Sequence, residues 1–291
     1  MRLLILGENS YVGTSVQNYC KVAHPDLIID VFSSFQKDWE EKSFKGYDAV
    51  YNVSGLAHAD SRHGTPEMYR TINTELPINM AKKAKADGVE MFIQMSSAII
   101  YGNMSRIGED NTIDENTLPS PVNVYGESKL NAEKGLLELK DDSFKVTILR
   151  CPLIYGENAK DNFPRLVRYA KKMPVFPQIL NKQSMIYADN LAELVYLIIK
   201  NKASGVFMPQ EKEYICTSKI VKDIAEASGK KMILTKLFNP LIWILSRKIY
   251  IFNKVFGNVA YSQATSEYFD GLYRVVSYEE AIKRIAESSN C

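Results

Sequence analysis

The chain has no block of like charge, no C-x-x-C pair, and no apolar run of the ~18 to 20 residues that a membrane-spanning helix requires. Its formal net charge is +2 over 291 residues, without the basic stripe of a nucleic-acid binder, which argues against nucleic acid as the main partner. Four cysteines, Cys20, Cys151, Cys216 and Cys291, are scattered, so the sequence suggests neither a disulfide framework nor a zinc site. The histidines, His24, His58 and His63, form no ligand pattern and read as structural or surface residues, so no metal is expected. No basic and apolar leader with a small-residue cleavage site opens the chain, and the expected compartment is the cytoplasm. Internal repeats, low-complexity tracts and flexible linkers are also absent from the sequence.

What is present is an ordinary globular composition, 46% hydrophobic and 24% charged, in a chain long enough for one large α/β domain and a smaller one. The apolar run Arg2-Leu-Leu-Ile-Leu stops at Gly7, as a buried parallel strand does. Gly7-Glu-Asn-Ser10-Tyr-Val-Gly13 then opens a helix-compatible segment. Glycines at a strand-to-helix turn let backbone approach a pyrophosphate, which the helix N-terminus holds through its amides and dipole. The spacing is that of G-x-x-G-x-x-G with Ser10 in the middle position.

Further strands are expected near residues 27–33 and 47–55, the second opening into a loop that carries His58, Asp60, Arg62 and His63. The first ends in Ser33-Ser34-Phe35 with Lys37 beyond, where a dinucleotide fold reads the adenosine ribose; Asp30 falls inside the strand, and the preference between NAD and NADP stays open. Ser54-Gly55 suits close passage of a cofactor at a strand end. Residues 67–88 have helical periodicity with Gly88 as a cap, and 90–97 read as a strand that delivers Ser96 and Ser97 to the same sheet edge as Gly7 and Gly55.

In Tyr125-Gly-Glu-Ser-Lys129 the phenol and the amine are four residues apart, on one face of a helix. A cation ~4 Å away at an effective dielectric of ~20 is worth roughly 4 kcal/mol, or up to about three pKa units on a phenol of pKa ~10. Tyr125 can then act as a general acid/base near neutral pH, with Ser97 hydrogen-bonding a substrate oxygen beside it.

Taken in order, the glycine turn, Met95-Ser-Ser-Ala-Ile-Ile-Tyr-Gly102, Tyr125-Gly-Glu-Ser-Lys129-Leu-Asn-Ala-Glu133, Leu149-Arg-Cys-Pro-Leu-Ile-Tyr-Gly156 and Met185-Ile-Tyr-Ala-Asp189-Asn-Leu-Ala192 resemble the extended short-chain dehydrogenase/reductases. Within them the chain looks most like the nucleotide-sugar epimerase/dehydratase group, of UDP-glucose 4-epimerase type. The resemblance implies a doubly wound Rossmann-type parallel sheet over residues 1–155. A smaller substrate lobe would occupy 156–291, with about 185–210 returning to the sheet. It implies Tyr125 as the acid/base, Lys129 as the residue that lowers its pKa and holds the nicotinamide ribose, and Ser97 as the group that orients the sugar oxygen. Gly7, Ser10, Tyr11, Val12 and Gly13 would follow the pyrophosphate of NAD or NADP. Ser33, Ser54, Gly55, Ser96 and Pro152 would line the cofactor, and Ala98, Asn162 and Gln183 would face a nucleotide-sugar, expected to be a UDP-sugar.

Two departures stand out: Ser10 replaces a glycine, and Gln183 stands where relatives often carry a basic residue. Sugar 4,6-dehydratases need an Asp-Glu pair where this chain has Ala98-Ile99, so dehydration is disfavoured. The expected reaction is 4-epimerisation through a keto sugar, with reduction of a 4-keto sugar or mere dinucleotide binding as alternatives; a homodimer is a further expectation. Residues 237–256, rich in Leu, Ile, Trp, Tyr and Phe but broken by Pro240, Arg247-Lys248 and Lys254, read as a helix over the sugar site or at a subunit interface. A membrane-surface helix is the less favoured alternative.

Overall fold

The computed structural model describes residues 1–35, 39–56, 64–102, 106–110, 112–160 and 162–288; Lys37, His58, Asp60, Arg62, His63 and Cys291, singled out above, lie outside them. The first apolar run forms β1 (Arg2–Leu6), buried over its last four residues, and Ser10 caps α1 (Tyr11–Ala23). The chain continues through β2 (Ile28–Phe32) and β3 (Ala49–Asn52). Helix α2 (Pro66–Tyr69) passes through a π-wound segment, Arg70–Glu75, into α3 (Leu76–Ala86) and on to β4 (Met91–Ser97). A 3-10 turn (Ala98–Tyr101), β5 (Thr112–Ile113), α4 (Val124–Leu137) and β6 (Lys145–Cys151) follow. Then come β7 (Leu153–Tyr155), α5 (Phe163–Lys172), β8 (Val175–Pro177), β9 (Met185–Tyr187), α6 (Ala188–Lys200) and β10 (Gly205–Phe207). The last elements are α7 (Thr217–Ala227), β11 (Ile233–Thr235), α8 (Asn239–Ser246), α9 (Tyr250–Phe256), β12 (Ala260–Tyr261) and α10 (Tyr278–Glu287).

Two compact units divide these elements: Met1–Gly102, Leu118–Cys151 and Ala188–Pro209 form the first, and Asn103–Thr117, Pro152–Tyr187 and Gln210–Cys291 the second. Asn103–Thr117, which the sequence reading places in the dinucleotide-binding part, groups with the second unit because β5 pairs with β12.

The first unit is built on six parallel strands in the order β10-β6-β4-β3-β1-β2, the doubly wound Rossmann-type arrangement expected from the sequence. Helices cover a parallel sheet on both faces, which is why β3 and β4 read as continuous apolar runs and not as alternating ones. Leu4, Leu6, Val50, Phe92 and Ile148 pack there against Met80, Ala81 and Ala84 of α3 and Leu136 of α4. Strand order reverses between β1 and β3, so the crevice that such a sheet offers a ligand opens at the carboxyl ends of these two strands. His24, at the end of α1, stacks on Tyr196 of α6 at 3.4 Å and contacts Glu193 at 2.6 Å, a structural role.

In the second unit short parallel pairs join β7 to β9, β8 to β11 and β5 to β12, and α7 packs on α5 and α10. The apolar tract forms the two short helices α8 and α9, parted at Arg247-Lys248, in place of one long helix. No helix among the described residues is long and apolar enough to cross a membrane.

Candidate active site

At the switch point Gly7 has φ +131°, and a Cβ there would lie 2.8 Å from Val53 Cγ2 and 3.1 Å from the Ser54 nitrogen. A side chain would therefore collide with the end of β3, and glycine keeps the two strand ends in contact. A Cβ on Gly13, in the first turn of α1, would lie 3.1 Å from Ile5 Cγ2 and 3.2 Å from Val53 Cγ2, so the glycine lets the helix sit close against the sheet. Ser10 explains its own departure from glycine: its hydroxyl accepts from the Gly13 amide at 3.3 Å and caps α1. Tyr11 and Val12 are the first two residues of that helix. At the end of β2, Ser33 is half-buried, whereas the neighbouring Ser34 is 1% exposed and its Oγ finds no hydrogen-bond partner among the described residues. A glycine cradle that a Cβ would fill, a helix N-terminus behind it and an orphaned hydroxyl where an adenosine ribose is read fit a dinucleotide.

Helix α4 carries Tyr125 and Lys129 one turn apart, starting from Asn123, whose Oδ1 accepts from the Gly126 amide at 2.8 Å. The Lys129 amine is buried, donates to the Met95 carbonyl at 3.3 Å, and would lie 3.2 Å from a Cβ built on Gly55. Burial pushes its pKa down to about 8, with Glu133 one turn further along the helix opposing the shift. The amine is thus still cationic at neutral pH. Tyr125 is half-buried, its ring 6.2 Å from that of Tyr69.

Ser97 ends β4 and accepts from the Ile99 amide at 3.3 Å through its hydroxyl, capping the 3-10 turn with Ala98 as its first residue. That turn meets α4 directly: a Cβ on Gly126, the residue after Tyr125, would be 3.1 Å from the Ile99 carbonyl. The structure thereby brings the Ser97 turn, the Tyr125 turn, Lys129 and Gly55 together in one unit.

The sequence model of the NAD dependent epimerase/dehydratase family matches residues 3–208. The chain belongs to this family. UDP-glucose 4-epimerase of Vibrio cholerae is 32% identical over 225 residues, 75% of this chain and 66% of that protein. N-acetyl-alpha-D-glucosaminyl-diphospho-ditrans,octacis-undecaprenol 4-epimerase of Escherichia coli O157:H7 is 27% identical over 208 residues, 69% of this chain and 61% of the other. The chain thus spans about two thirds or less of these curated relatives. GDP-6-deoxy-D-mannose reductase of Pseudomonas aeruginosa is 28% identical over 173 residues, 56% of this chain and 55% of the reductase. In fold, RMD from Pseudomonas aeruginosa, solved with NADPH, matches at a TM-score of 0.76 over 98% of both chains with 18% identity.

As an epimerase/dehydratase family member the chain also shows support that its motifs did not reveal. Asn73, fully buried in the π-wound segment, accepts from the Leu56 amide at 2.8 Å and donates to the Leu56 carbonyl and to Ser128 Oγ, each at 3.2 Å. Thr74 donates to the Ser128 carbonyl at 2.8 Å. One pair of residues therefore grips α4 between Tyr125 and Lys129 and ties it to the loop after Gly55. A π-wound turn inside a helical pattern leaves no periodic trace in sequence, although such turns recur at functional sites.

Other named residues turn their polar groups inward. Ser96 donates to Glu133, whose carboxylate takes Arg150 at 2.7 Å, and Arg150 donates to the Tyr101 hydroxyl at 2.7 Å. The Ser54 hydroxyl donates to Asn52 at 2.5 Å. In the second unit, Pro152 is buried, Asn162 stands at the start of α5 without a side-chain cap bond, and the Gln183 amide donates to the Gly257 carbonyl at 2.6 Å.

Proposed function

We propose that the protein is an NAD(P)-dependent nucleotide-sugar 4-epimerase that works through a transient 4-keto sugar. Gly7, Ser10, Tyr11, Val12, Gly13, Ser33, Ser54, Gly55, Ser96 and Pro152 would line the dinucleotide, which supplies hydride acceptance and return when bound. Tyr125 takes the proton of the sugar hydroxyl as the carbon loses hydride, and gives it back to the carbonyl oxygen once the keto sugar has turned over and hydride returns to the opposite face of that carbon. Lys129, cationic beside it, favours the phenolate and holds the ribose. The Ser97 hydroxyl, an acceptor from Ile99, keeps its own proton to donate to the same sugar oxygen. Ala98, Asn162 and Gln183 are proposed to contact the nucleotide-sugar, and UDP is the nucleotide proposed.

The observation that carries this reading is the buried amine of Lys129, one turn from Tyr125, on a helix seated through Gly126 on the turn that Ser97 caps. Reduction of a 4-keto sugar uses the same three groups and is the second reading, favoured by the reductase relative. A purely dinucleotide-binding role would use Lys129 at the ribose but would need no acid/base phenol at Tyr125. Tyr125→Phe is expected to lower turnover by about 10² to 10⁴ while the dissociation constant for the cofactor stays unchanged. Turnover retained by this variant would remove Tyr125 from the chemistry.

A further inference from the structure

Helix α8 turns apolar side chains away from the protein. Ile242 and Ser246 are buried on its inner side, but Leu241, Trp243 and Ile244 are 57%, 53% and 63% exposed, and Leu237, just before the helix, is 79% exposed. Leu241 and Ile244 lie three residues apart on one helical line, with Leu237 before the helix and Lys248 just after its end. Beside Trp243 an open groove of about 580 Å³, lined by Ile179 and Pro240, extends the apolar surface to Leu180, with Lys236 at its rim. Large apolar side chains exposed together in this way mark a contact site.

Charge selects the occupant. No Asp or Glu occurs between Glu226 and Glu267, while Lys230, Lys231, Lys236, Arg247, Lys248 and Lys254 all fall in that stretch. The Arg247 guanidinium lies 4.8 Å from the Trp243 ring centroid, so a cation is held against the apolar face itself. Helix α8 is too short to span a bilayer and carries no charge of its own; its apolar residues and tryptophan are flanked by Lys236 before it and by Arg247 and Lys248 directly after it, the order of groups that suits a segment lying in a bilayer surface.

We propose that α8 docks on the surface of an anionic lipid bilayer. The acyl region takes Leu241, Trp243 and Ile244, and lipid phosphates take Arg247, Lys248 and Lys236. A second copy of the chain is a poorer occupant. An isologous contact sets the patch against itself, and this tract contains no carboxylate to neutralise the facing cations.

The test is co-sedimentation of the full chain with phosphatidylcholine vesicles containing about 30% phosphatidylglycerol, against pure phosphatidylcholine, at low salt and at about 0.5 M. The protein is expected to pellet with the anionic vesicles alone and to be released by salt. Arg247→Glu with Lys248→Glu should weaken partitioning roughly 20-fold or more, at about five-fold per cation. Leu241→Glu with Ile244→Glu should abolish it, and circular dichroism checks that both variants are folded. In a Trp39→Phe background, Trp243 emission should shift to shorter wavelength on the anionic vesicles. Failure to pellet at low salt, or undiminished binding by either double variant, overturns the proposal. So does a dimer in solution that Leu241→Glu with Ile244→Glu disperses while vesicles capture none of the protein; that result assigns the face to a second copy.

Discussion

Lys129 gives the site a measurable ionisation. Its folded pKa of about 8 lies below the value near 10.4 of an unfolded lysine, because burial disfavours the charge. Between those two values the unfolded chain holds the proton and the folded chain does not, so the lysine's contribution to stability rises with pH across that window. Below it, the burden of the buried cation is fully present. Relative to Lys129→Met, wild-type stability in urea should therefore increase between pH about 8 and about 10.4, by an amount on the order of 3 kcal/mol; a pH-independent difference would contradict the buried-cation account. Tyr125, Lys129 and Ser97 were legible in the sequence because spacing alone fixes their helix face or their place at a strand end. What a serine hydroxyl bonds to was not. Neighbouring residues of a strand point to opposite faces, so Ser96 meets the buried Glu133 while Ser97 caps the turn that faces α4. Ser54 likewise sits where expected, with its hydroxyl committed to Asn52.

At the scale of elements, α4 is an arm held at two points. Gly126 seats its first turn on the Ile99 carbonyl, and the π-wound segment holds the second through Asn73 and Thr74. Strands, helix caps and the order of elements were readable from apolar runs and end signals: Gly88, for example, follows α3 with φ +81°. The π winding was not, since Ile72 and Leu76 keep an ordinary helical pattern around it. Asn73→Ala would leave the half-buried Leu56 amide without its acceptor, and is expected to cost about 1 kcal/mol of stability. Acting as a positioning residue, it should also lower kcat while leaving the KM for the sugar near the wild-type value. A large rise in KM with kcat intact would place Asn73 in substrate binding instead. The apolar tract was recognised by composition, yet its division at Arg247-Lys248 depends on local geometry that composition does not encode.

At the scale of the whole chain, the family is assigned by residues 3–208, the part that contains the six-stranded sheet and its switch point. The glycine turn, the second strand's end and α4 all belong to that part, which is why the motifs could be read in order. The second unit depends on short, widely separated pairings such as Thr112 with Ala260, and no local pattern announces them. The central claim is that hydride leaves and returns to one sugar carbon without net redox change. The measurement that tests it most directly follows a UDP-sugar by proton NMR while nicotinamide absorbance is recorded in the same sample of purified protein. The account predicts two interconverting C4 epimers at constant total reduced cofactor. Consumption of one reduced cofactor for each sugar converted, or no conversion of any UDP-sugar, would contradict it.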